Sequence, residues 1–380
     1  MTRFERTLLV LVTVLTVAAG VCHYSGAVSQ NACFILAALA LAAIAWLVSF
    51  ATEQVGITLG TALTGVMQST VGNLPEFFVV LFALQDHQTT VAQTAIVGSI
   101  LVNALLVLGC VLVAGSLKAP GSTMRFSPRL PNDTATLLLF AAIVIALVGI
   151  LHSSHVSAAA HTRTISLVAA ALLLVVYGVW MRQYLRIEGY GSGAQLPPQV
   201  RASDGVHGPP ASAVASAPAP AAVADQPRLS RNAGLAMLAA AGLGAAFVSD
   251  WFIDALRPAM SSAHLTPTFA GIVIVAIAGN AVEHLVGVYL AYRGRGELAI
   301  AVVKNSVGQI AAFLFPLLVL VSTLTAAQLN FSLPPIWSGA LLVVALLVWQ
   351  ITGDGEATPF EGAALIAVYV VLATISAYIV

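Results

Sequence analysis

The sequence predicts an all-α polytopic membrane protein, with an accessory first helix and two inverted five-helix repeats, about 11 transmembrane helices in all. Three observations predict it. Of 380 residues, 59% are hydrophobic and only 8% charged, with mean hydropathy +0.96, whereas a soluble domain carries about a quarter charged residues. Apolar runs of about 20 residues, the length that crosses a hydrocarbon core, recur along the chain. One short pattern also occurs twice, in Gly72-Asn73-Leu74-Pro75-Glu76 and Gly279-Asn280-Ala281-Val282-Glu283.

Breaks rich in Gly, Pro, Ser and charge delimit spans over residues 7–25, 33–60, 63–84, 90–115, 133–152, 163–187, 231–256, 267–291, 296–323, 336–352 and 361–380. The first follows Arg3 and Arg6 and ends in Ala-Ala-Gly, as a secretory signal peptide does; we read it as a retained helix. Residues 1–30 then form the accessory helix, 31–187 the first repeat and 231–380 the second. Between them, residues 188–230 hold Gly-Ser-Gly, Pro-Pro and Ala-Pro steps and read as a flexible cytoplasmic linker.

Charge sets the orientation. With the N-terminus inside, 12 of the 15 basic residues fall in cytoplasmic segments, which favours N-in, linker-in and C-out. The location expected is a bacterial cytoplasmic membrane. Because five is odd, tandem five-helix halves cross the bilayer in opposite senses. Each half places its Gly-Asn-x-x-Glu on its second helix and a polar cluster on its third: Ser99 with Asn103, and Ser306 with Gln309. Inverted repeats with broken helices near the midplane are an architecture of secondary transporters.

A carboxylate at membrane depth is costly and marks function. Glu76 and Glu283 each lie 8 residues from a predicted helix end, about 12 Å deep at 1.5 Å per residue. That places both near the midplane. The 15 acidic residues balance the 15 basic ones, which argues against nucleic-acid binding. Cys22 and Cys33 flank the first external loop, where a disulfide between them is the alternative; the reading preferred is that they, with Cys110, are small apolar packing residues. Asp254 and Arg257 mark the outer end of a span.

The paired motifs resemble those of the calcium/proton exchangers of the cation/calcium exchanger superfamily. The residues that carry the likeness are Ala51-Thr52-Glu53, Gly72-Asn73 with Glu76, Gly98-Ser99-Ile100-Leu101 with Asn103, Leu105-Leu106-Val107-Leu108-Gly109, Gly279-Asn280 with Glu283-His284, and Gln309-Ile310-Ala311 with Phe313. The resemblance implies ten core helices plus the accessory one. It also implies a divalent cation held by Glu76, Glu283 and nearby carbonyls. Asn103, Ser306 and Gln309 match supporting positions, and Glu53 and Asp250 match acidic positions near the ion pathway. Pro75 is closer to the sodium/calcium branch, and Asp250 replaces a more usual Glu.

These residue types suit calcium, which takes six to eight oxygen ligands. Pro75 has no N–H, so the carbonyl of Val71 loses its helical partner, and Gly72 and Gly279 loosen the same turn. Asn73 and Asn280 contact the ion directly or through a neighbour. When calcium leaves, two poorly solvated carboxylates face each other and titrate as a pair. One site then holds calcium or protons, which is the logic of antiport, with no cofactor beyond the transported ion. His284 points to another helix face than Glu283 and either packs or handles protons. Lys304 either pairs with Glu283 or snorkels to the interface. The rivals are a sodium-coupled calcium exchanger and a passive cation channel; no nucleophile–base pairing suggests an enzyme.

Overall fold

The computed structural model describes residues 3–26, 28–59, 67, 71–127, 129–154, 156–191 and 228–379. The first part of the predicted 63–84 span, nearly all of the linker and Val380 lie outside these residues. Among the described residues twelve helices longer than ten residues follow in order: α1 (Arg3–Ser25), α2 (Gln30–Leu59), α3 (Leu74–Gln85), α4 (Thr89–Lys118), α5 (Arg129–Ser153), α6 (Thr162–Gly191), α7 (Arg231–Ala263), α8 (Pro267–Gly279), α9 (Ala281–Tyr292), α10 (Gly296–Leu324), α11 (Pro335–Thr352) and α12 (Pro359–Tyr378). Among the described residues nine helices are long and apolar enough to cross a bilayer, or ten when the bent pair α8–α9 counts as one span. The protein is an all-α polytopic membrane protein. Among the described residues the one strand pairing is a two-residue ladder of Met124–Arg125 against Glu356–Ala357, with an Arg125–Glu356 ion pair at 3.1 Å.

α2 lies along α7, α1 covers α2, α5 lies against α11, and α4 packs on both α8 and α12. The contact of α4 on α8 brings backbones together at two glycines. A Cβ on Gly98 would stand 2.5 Å from Ile272 Cα, and one on Gly271 would stand 2.0 Å from Thr94 Oγ1. Such approach is possible only for a residue with no side chain. It brings the third helix of the first half of the chain against the broken helix of the second.

α1 is fastened to α2 at both ends. At one end Cys22 is disulfide-bonded to Cys33, which corrects our reading of these cysteines as packing residues. Two helix ends joined by a short loop bring the sulfurs within reach, a proximity that cysteine spacing alone does not reveal. At the other end the Arg228 guanidinium pairs with the buried Glu5 carboxylate, while the Arg228 N–H donates to Gln54 Oε1 at 2.8 Å. Arg228 thus ties the end of the linker to α1 and α2 together. These two ends are called the disulfide end and the linker end below. α7 runs six residues past Arg257, so Asp254 and Arg257 lie within the helix and not at its end.

Candidate functional site

Two chain breaks of near-identical geometry make the site. Gly72 and Asn73 form a turn before α3, and Asn280 interrupts α8 and α9, which bend by 64°. Asn73 has φ −91°, ψ 17° and Asn280 has φ −113°, ψ 13°, both in the sparsely allowed bridge region. The local cause is legible: Pro75 cannot donate to Val71, and Gly72 and Gly279 resist helical propagation. After each break the helix restarts, with Phe77 N–H donating to the Asn73 carbonyl at 2.9 Å and His284 N–H donating to the Asn280 carbonyl at 3.2 Å. Glu76 and Glu283 therefore stand in the first turns of α3 and α9, where the helix dipole favours a negative group.

The breaks meet. A Cβ on Gly279 would lie 3.9 Å from Glu76 Cβ, and the two carboxylates are close enough to interact electrostatically. Glu76 is 3% exposed, and neither of its carboxylate oxygens has a hydrogen-bond partner of normal geometry, although the Ser99 and Asn280 side chains stand near enough to interact with it. Glu283 is half-buried and accepts from Ser306 Oγ at 2.5 Å. Each asparagine reaches across to the other half of the chain. Asn280 Nδ2 donates to Ser99 Oγ at 3.1 Å, and Asn73 Nδ2 donates to Gln309 Oε1 at 3.5 Å. Asn103 Nδ2 donates to the Ser99 carbonyl at 3.0 Å, leaving the Asn103 Oδ1 buried without a partner.

The polar clusters sit beside loosened helix. α4 is π-helical over Val102–Val107, beginning three residues after Ser99 and including Asn103, and α10 is π-helical over Ile310–Leu314, directly after Gln309. A third π-segment, Ala270–Val275, precedes the α8–α9 break. Such bulges concentrate at functional sites. A cavity of about 20 Å³ opens here, lined by Ala45, Ser49, Gly72, Gly279, Asn280, Val282 and Glu283; it holds about one water-sized species. Carboxylates, amide and hydroxyl oxygens and turn backbone form a hard-oxygen set that fits an oxygen-seeking divalent cation as cargo. Among the described residues no group of three or more His, Cys, Asp or Glu is placed to hold a metal, so neutral oxygens have to complete any coordination shell.

The structure thus brings together Glu76, Glu283, Gly72, Asn73, Gly279, Asn280, Ser99, Asn103, Ser306 and Gln309, with Val71 half-buried at the first break. It separates the acidic candidates. Glu53 is exposed on α2 toward the linker end, whereas Asp250 lies on α7 within electrostatic reach of Asp86, Asp254 and His23 near the disulfide end. Asp86, just beyond α3, is held above the usual carboxylate range by partial burial and then by the Asp254 charge. Lys304 neither pairs with Glu283 nor snorkels. It is 2% exposed and donates through Nζ to Thr352 Oγ1 on α11 at 2.6 Å, because its face of α10 turns away from α9. His284 is half-buried, and its buried Nε2 has no partner. Sequence reasoning missed Ser49, whose one signal is its position one helical turn before Glu53.

Comparison with known proteins agrees with this architecture. The family described as "Sodium/calcium exchanger protein" matches residues 29–182 and 233–378. The chain is 28% identical over 344 residues, 90% of each chain, to a Ca(2+)/H(+) antiporter of Synechocystis sp.. It is 28% identical over 364 residues, 94% of each, to the Ca(2+)/H(+) antiporter ChaA of Bacillus subtilis. Its fold matches the solved structure of native YfkE with a TM-score of 0.75 at 23% identity, covering 98% of this chain and 99% of that one. The two matched segments leave out little besides the accessory helix and the linker, and the chain belongs to the sodium/calcium exchanger protein family.

Proposed function

We propose that this protein is a secondary active antiporter that exchanges calcium, or a similar divalent cation, for protons by alternating access between two inverted five-helix repeats. The observation that carries the reading is the pair of glutamates on equivalent first turns, Glu76 and Glu283, beside a cavity of one-ion size. Support comes also from similar proteins in two bacteria that are named calcium/proton antiporters.

Two carboxylates enclosed by helices require compensating positive charge. A divalent cation supplies it in one state and protons in the other, so the two cargoes exclude each other. Neutral oxygens from Ser306, Ser99, Asn73 and Asn280 complete the cation's shell with the carbonyls at the breaks. Repeats crossing in opposite senses give the site two equivalent exits, which is what alternating access needs.

The linker end faces the cytoplasm in this reading, with the C-terminus outside and the protein in a bacterial inner membrane. The positive-inside bias supports it, as does the Cys22–Cys33 bond, since disulfides persist on the oxidising side. The second reading, coupling to sodium, is favoured by Pro75. Calcium uptake into sealed vesicles driven by a proton gradient, with and without sodium, decides between them. Uptake that needs sodium and ignores the proton gradient overturns the first.

A further inference from the structure

We infer that Ser49, on α2 and outside both duplicated motifs, is a cargo-contacting residue that presents a neutral oxygen to the cation on its approach to Glu283 from the linker end. Three observations converge. First, Ser49 lines the same small cavity as Glu283, Gly72, Gly279 and Asn280, so a species held there touches both the hydroxyl and the carboxylate's surroundings.

Second, the hydroxyl is uncommitted. Buried hydroxyls on membrane helices ordinarily return to a carbonyl one turn back. Several of this chain do so: Thr94 to Thr90, Ser322 to Val319, Thr352 to Val348 and Ser376 to Ala373, whereas the Thr16 and Thr52 hydroxyls do not. Ser49 makes no hydrogen bond among the described residues. A polar group at membrane depth is tolerated where it meets a lined cavity, and that is where this one stands.

Third, Ala45, Ser49 and Glu53 recur every four residues and so share one face of α2. The stripe runs from an exposed carboxylate, Glu53, past Ser49 to the small Ala45, with the cavity against its inner part. Glu53 attracts the cation, Ser49 replaces one water of its shell, and Glu283 receives it. Alanine at 45 and serine at 49 keep the wall low enough for an ion to pass.

This inference rests on the cation-exchange reading above, and its test separates the two. In everted membrane vesicles, calcium KM and maximal rate are measured for wild type, Ser49→Ala and Ser49→Thr, beside equilibrium calcium binding to the purified Glu283→Gln protein. Loss of one oxygen contact is expected to raise KM about fivefold in Ser49→Ala, with the maximal rate within about twofold. Ser49→Thr, which keeps the hydroxyl, is expected to restore KM. A KM unchanged in Ser49→Ala, a fall in rate without a change in KM, or a failure of threonine to restore KM overturns the role of Ser49. If Glu283→Gln binds calcium as the wild type does, the cation-exchange reading itself falls, whatever Ser49 does.

Discussion

Asn280 donates to Ser99 across 181 residues of sequence, at 3.1 Å, so the second chain break draws its polar partner from the first half of the chain. The other break does the same through Asn73 and Gln309. Glu76 has side chains of both halves beside it, Ser99 and Asn280, whereas Glu283 accepts from Ser306 of its own half. A double-mutant cycle of Asn280→Ala and Ser99→Ala, read by denaturant unfolding in detergent, should return a coupling of about 0.6 kcal/mol, the average for such bonds in membranes, and no more than about 1.7 kcal/mol. Calcium transport should fall much further than stability. Purely additive effects would mean the bond does not form.

Glu76→Gln and Glu283→Gln should each abolish calcium flux in proteoliposomes while leaving thermal stability equal or higher. Each replacement keeps the side-chain shape and removes a buried charge. Near-normal flux in either variant would falsify the paired site.

Protons and calcium compete for the same carboxylate oxygens, so acidification should raise the apparent KM for calcium and leave the rate at saturating calcium less affected. Calcium added to the purified protein without sodium should release protons, and imposed sodium gradients should do nothing. Sodium-dependent flux without proton release would assign the chain to sodium coupling, in line with Pro75.

Gly98→Ala and Gly271→Ala should each lower stability by about 1–3 kcal/mol through overpacking. Their added methyls meet Ile272 backbone and Thr94. A thermal scan of purified variants measures it. By contrast, Gly339→Ala, whose Cβ meets nothing within 4 Å, should be neutral.

Unreduced protein should carry one reactive thiol, Cys110, and three after reduction under denaturing conditions. For orientation, Arg201→Cys should resist impermeant reagents applied outside intact cells, and Val380→Cys should react.

Much of this site was legible in the sequence because helix breaking is local chemistry. Gly72, Pro75 and Gly279 disrupt their own turns wherever they sit, and a carboxylate three residues after each break is a short-range pattern. The membrane spans were legible because their apolar length is set by the bilayer. What escaped was tertiary. The rotation of α10 that carries Lys304 to Thr352 depends on how α10 seats against α5, which itself packs on α11, and no spacing within one helix encodes that. The Cys22–Cys33 pairing depends on α1 returning to α2. Ser49 was hidden for a related reason: a lone serine in an apolar helix looks like its many back-bonded counterparts until its neighbours are known.

The double fastening of α1 has a mechanical consequence. α2 lines the small cavity beside Glu283, and it is bound to α1 by a covalent bond at one end and through Arg228 at the other. Any displacement of α2 along its axis must drag α1 with it. The opposite side of α1 presents Val10, Leu11, Val14, Val17 and Val21 outward, so that movement is a movement through lipid. Shifting an apolar helix relative to the hydrocarbon boundary costs fractions of a kcal/mol per Å of mismatch. In the alternating-access reading, a stroke that displaces α2 would carry this cost, and membrane thickness would then enter its energy.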